Sequence, residues 1–152
     1  MAALGGLLLA ACGHGSGDPG GMVLRELKPV ATAIPPRASD VRARFNDPTW
    51  QSKCPDNPYE RSGWSQVAVS ATFDADNPET DVIASIDADL VHLGWSRNDT
   101  AVTAGQGPVA HWTRSVGGGR RADAFAYPVP AGSDHWWLTA SWDPPGFALP
   151  GC

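Results

Sequence analysis

Between residues 66 and 73 apolar and polar positions alternate. Val67, Val69, Ala71 and Phe73 stand against Gln66, Ala68, Ser70 and Thr72, the period of a half-buried strand. The period then lengthens. Val82, Ile83, Ile86, Leu90 and Leu93 form one apolar stripe, so a helix is predicted over 79–93. Asn77 is placed to cap it and Pro78 to fill its first position, while Glu79 and Asp81 suit the positive end of its dipole. Gly94 is placed to end it. Alternation returns in residues 109–116 and 121–127, which flank Gly117-Gly118-Gly119 as the loop of a hairpin. Residues 135–142 put Trp136, Leu138, Ala140 and Trp142 on one face and His135, Trp137, Thr139 and Ser141 on the other. A further short strand is expected from Trp95 to about Val102. One helix cannot bury its stripe alone, and a sheet offers the missing face. The expected fold class is therefore α+β: a two-layer sandwich, with a mostly antiparallel sheet of four to five strands against one main helix, 79–93.

Residues 22–53 are less regular. Met22–Leu27 reads as a short helix stopped by Pro29, Pro35-Pro36 breaks the chain, and Val41–Phe45 alternates like a short strand. Asn46-Asp47-Pro48 and Pro55-Asp56-Asn57-Pro58 are loop signals. The chain of 152 residues is 42% hydrophobic and 18% charged, enough apolar content for a single domain over 22–152. Its formal charge of −5 lacks the basic footprint of a nucleic-acid partner, and none is expected.

Met1–Ala11 carries no charge and ends in small residues, the character of a secretory signal core; no apolar run is long enough to span a bilayer as a helix. Leu9-Ala10-Ala11-Cys12 resembles the lipobox of bacterial lipoproteins. The resemblance implies a signal peptide over 1–11, cleavage before Cys12 and a diacylglyceryl group on the Cys12 sulfur. The Lys or Arg that such signals carry before the apolar run does not occur here. Two or three acyl chains, palmitate among them, would anchor the chain stably to the extracytoplasmic side of the cell membrane. Residues 12–21, rich in Gly with Ser and Asp, then read as a flexible tether.

The three cysteines fit that compartment. With Cys12 acylated, Cys54 and Cys152 remain as a pair, and export permits a disulfide between them. The other use of cysteine, metal binding, lacks any C-x-x-C or His-rich spacing. Further features are similar to small lipoproteins of actinobacteria: Gly63-Trp64-Ser65-Gln66-Val67 leading into a strand, Leu93-Gly94-Trp95 ending the helix, and Trp142-Asp143-Pro144-Pro145-Gly146 near the terminus. That likeness implies no reaction and assigns no catalytic residue.

Catalytic templates fail one by one. No G-x-S-x-G occurs, Gly117-Gly118-Gly119-Arg120-Arg121 lacks the Lys-Ser/Thr of a phosphate loop, and Asp74-Ala75-Asp76-Asn77 lacks the glycine and twelfth-place glutamate of a calcium loop. Zinc chemistry needs three converging ligands, and only a neighbouring His111 and His135 across the sheet would begin one. No metal or cofactor is expected. The seven tryptophans serve either as core or as stacking surfaces. Trp136 and Trp137 are adjacent in a strand, so one must leave the core face; Trp137, with His135 and Thr139, is the candidate ligand contact.

The expectation is a non-enzymatic envelope lipoprotein, a small binding or scaffolding domain anchored through acylated Cys12. Its partners beyond the bilayer would be envelope glycan or another envelope protein. One alternative is a glycan- or peptide-binding module using Trp137. Another is an envelope hydrolase, which requires a concave pocket holding at least two titratable side chains near His111 or His135.

Overall fold

The structure, a computed structural model, describes residues 20–51, 63–98 and 110–144. Cys12, Cys54 and Cys152 lie outside these residues, as do residues 1–11, expected as a signal peptide, and residues 12–19 of the expected tether.

The chain enters through a short helix, α1 (Gly21–Leu27), which passes into a 3-10 turn at Lys28–Thr32. The α-helix ends at Leu27, as the Pro29 signal implied, and the chain goes on in the tighter turn. Pro29 sits in the first turn of the 3-10 segment, where a missing N–H costs nothing. Strands β1 (Ser39–Asn46), β2 (Trp50–Gln51), β3 (Gly63–Trp64) and β4 (Val67–Asp74) follow. Helix α2 (Glu79–His92) leads to β5 (Ser96–Arg97), β6 (Ala110–Val116), β7 (Arg120–Pro128) and β8 (His135–Trp142). The main sheet has six strands in the order β1-β4-β8-β7-β6-β5, every pairing antiparallel, while β2 and β3 form a small ribbon. The expected α+β class is present, with corrections. The sheet holds six strands where four to five were expected, because β1 adds an edge beside β4 and β5 adds the other. A second helix, α1, shares the covering of its inner face.

The α2 stripe falls where the spacing placed it: Val82, Ile86 and Leu90 are fully buried, and Ile83 and Leu93 pack on the same core. Full burial of each aliphatic contributes about 1.5–3 kcal/mol. The start of the helix differs from expectation. Pro78, extended at φ −51° and ψ 143°, occupies the capping position itself, and no side chain caps the first turn. The end of the helix is as the sequence implied. Gly94, at φ 83°, donates to the Val91 carbonyl while Trp95 donates to Leu90, the paired bonds of a glycine-terminated helix. Beyond it only Ser96 and Arg97 form a strand among the described residues, shorter than the run expected from Trp95.

Residues 22–51, the described part of the less regular segment, join the domain. Val23, Leu24, Leu27, Val30, Ala31 and Ala33 are all buried in the common core. Gly20 caps α1 and Gly21 begins it, two residues expected in the tether. A Cβ on Gly20 would stand 2.1 Å from Cγ of Pro48, so only glycine lets α1 lie that close to the β1–β2 loop. Inner-face residues set alanines beside the large side chains. Trp112, Ala124, Ala140 and Val69 form one row, and Ala126, Leu138 and Ala71 another. Alanine opposite tryptophan gives the indole room beneath the helices. Among the described residues no helix is long and apolar enough to cross a membrane.

Candidate binding face

Both helices lie against one side of the sheet, so the side chains that alternate away from them share the opposite face. Strand register sets these side chains in rows. Arg42, Thr72, Trp137 and Tyr127 stand abreast, and Arg44, Ser70, Thr139, Phe125 and His111 form the next row. Asp74 stands opposite His135 at the end of the face.

A cavity of about 320 Å³ opens here, near the lower limit of pockets that hold small ligands. Arg42 and Arg44 form one wall and Trp137 the other; Ser70 and Thr72 are the short residues between, and Asp40, Asp74 and His135 close one end. The two walls stand two strands apart, roughly 10 Å between backbones. A β-bulge shapes the closed end. Ser39 pairs with Asp74 and Arg42 with Thr72, so three steps on β1 oppose two on β4. The extra residue is accommodated at Asp40, whose φ of 47° is left-handed, a region aspartate tolerates better than most residues.

Nδ1 of His135 lies 2.6 Å from Oδ1 of Asp74. A carboxylate only accepts, so His135 donates to it from Nδ1. Trp137 is 42% exposed and its ring centroid lies 6.3 Å from that of Tyr127. Burial pushes the Tyr127 phenol above its ordinary pKa. The Thr139 hydroxyl is turned into the sheet, donating to the Val69 carbonyl at 3.2 Å.

The three contact residues named from the sequence thus share one face, but unequally. Trp137 and His135 line the cavity; Thr139 lies one row away with its hydroxyl already engaged. Four tryptophans, Trp95, Trp112, Trp136 and Trp142, are core, and Trp50 is exposed at 57%. His111 and His135 are not neighbours. His111 aligns with Thr139 two strands over, and His135 is four residues further along, roughly 15 Å away in an ordinary sheet. His111 is buried, stacked on Phe125 at 4.5 Å, with Nε2 2.8 Å from Asp123. Asp123 also accepts from Arg121 at 3.0 Å, and Nδ1 of His111 meets no partner among the described residues.

Asp74 pairs with His135, and Asn77, expected to cap α2, makes no capping bond. Among the described residues no group of three or more His, Cys, Asp and Glu is arranged to hold a metal ion. The sequence reading missed Asp40, Arg42 and Arg44 altogether. The signal was there in Arg42-Ala43-Arg44, cations at alternate positions of a strand, but its significance depends on what the strand pairs with. Comparison with protein-family models, curated proteins and solved structures finds no match for the chain.

Proposed function

We propose that the chain is the tethered binding domain of a bacterial envelope lipoprotein. Acylated Cys12 holds it at the extracytoplasmic side of the membrane, and the helix-free face of the sheet is its recognition surface. One observation carries the recognition half of this reading. Among the described residues no helix covers the face bearing Trp137, which has a cavity built into it, while the opposite face is filled by two helices and a tryptophan-rich core. An amphipathic sheet needs only one covered face, and Trp137, 42% exposed on the other, offers an indole plate on which a ligand ring can stack. The anchoring half rests on the Leu9-Ala10-Ala11-Cys12 motif. The test is retention of the purified chain on immobilised envelope material. Wild-type chain should be retained and Trp137→Ala should wash through with its fold intact; equal retention of both would remove the recognition surface.

A second reading, an envelope hydrolase, is favoured by the Asp74–His135 pair at the cavity end. A carboxylate that orients an imidazole is the arrangement of a general base. It predicts that His135→Gln abolishes turnover of an envelope ester or glycan while leaving its binding unchanged. Binding lost in parallel with turnover would return His135 to a recognition role.

A further inference from the structure

The cavity on the helix-free face has a distribution of charge that specifies its ligand further, on the premise that this face is a recognition surface. Arg42 and Arg44 project from the same face of β1 and have no ion-pair or hydrogen-bond partner among the described residues. Of the two carboxylates at the closed end, Asp74 already accepts from His135 at 2.6 Å. Asp74 keeps its charge in that bond, so Asp40 and Asp74 balance the two guanidiniums over the lining as a whole. The place for an anion is the β1 wall itself, where Arg42 and Arg44 stand side by side without a partner among the described residues. Cations on an edge strand also discourage edge-to-edge pairing. That role does not require an indole facing them across short hydroxyl residues.

The rest of the lining is suited to a sugar. Trp137 offers an apolar plate for the flat face of a pyranose ring. Ser70 and Thr72 offer hydroxyls between the walls, and Asp40 is an acceptor for ligand hydroxyls. Guanidinium forks match the planar, two-oxygen geometry of a carboxylate. We infer that the cavity binds a carboxylate-bearing saccharide, with its acid group on Arg42 and Arg44 and its ring on Trp137.

The full chain should be titrated with D-glucuronate, D-glucose and glucose 6-phosphate while the indole N–H resonance of Trp137 is followed. Glucuronate is expected to shift that resonance, with glucose about tenfold weaker or more, the worth of one charge-assisted pair. Arg42→Gln and Arg44→Gln should each weaken glucuronate about tenfold, leave glucose unchanged and leave the thermal midpoint in place. Glucose binding as tightly as glucuronate would overturn the inference. So would tighter binding of glucose 6-phosphate, or a glucuronate response that survives both arginine substitutions. If no sugar moves the Trp137 signal while envelope material still distinguishes wild type from Trp137→Ala, the saccharide assignment fails and the recognition surface stands. If that distinction also vanishes, both fail.

Discussion

Nε1 of Trp112 donates to Oδ1 of Asp87 at 2.6 Å, tying helix α2 to strand β6 across the core. Arg97 completes the join, its guanidinium 4.7 Å from the Trp112 ring and 3.9 Å from the same Asp87 oxygen. The carboxylate does what the apolar stripe of α2 cannot. Val82, Ile86 and Leu90 favour contact with any apolar surface, whereas one directed bond fixes where along the sheet the helix rests.

Asp87→Ala should therefore destabilise the fold by about 1–3 kcal/mol, because it strands a buried indole N–H. Asp87→Asn keeps an acceptor and should lose less. Urea unfolding checks this: the midpoint should fall with the slope unchanged.

Adjacent tryptophans should behave oppositely. Trp136 is 2% exposed and stacks near Phe73 at 6.5 Å, so Trp136→Ala should cost about 3–5 kcal/mol. Trp137→Ala removes a half-exposed ring and should cost about 1 kcal/mol or less while abolishing retention on envelope material. Paired melting curves and retention assays decide this, and equal stability losses would place Trp137 in the core.

Tyr127 carries a pH signature. Burial disfavours its phenolate, so it ionises above its ordinary value of 10.0 in the folded chain. A raised folded pKa contributes stability that is complete below the unfolded value and disappears as pH climbs through the folded one. Stability should thus fall from about pH 10 upward, and Tyr127→Phe should flatten that fall. Ultraviolet titration of tyrosinate, with and without the substitution, measures the delayed ionisation directly.

Cysteine chemistry separates the anchoring proposal from the recognition proposal. In a bacterial host supplied with labelled palmitate, the chain should take up label and sediment with membranes, and Cys12→Ser should do neither. Mass analysis of the non-reduced mature chain should find Cys54 linked to Cys152. Unlabelled chain in the cytosolic fraction would end the lipoprotein reading.

Local pattern was enough to locate the elements. The alternation of residues 67–73 and 135–142 and the stripe of α2 are written in consecutive residues, and burial follows them position by position. Capping was less legible. Asn77 and Pro78 compete for the same few positions, and the backbone at Pro78 rather than an Asn77 side chain opens the helix. The edges of the sheet were hardest to read. Val41–Phe45 alternates, but β1 is exposed along its whole length and β5 has two described residues, so neither carries the burial pattern that would have placed it in the main sheet.

The sequence by itself determined the class of the fold, the face each central strand buries and the divergence of Trp136 from Trp137, since side-chain alternation is fixed by the backbone pleat. Tertiary structure alone decided that both helices would settle on one side and that Arg42 and Arg44 would face Trp137 across Thr72 and Ser70. Those residues are joined by pairings between β1, β4 and β8, strands separated by up to some ninety positions. Such register is set by the summed burial of the whole inner face and leaves no mark on the residues that line the outer one.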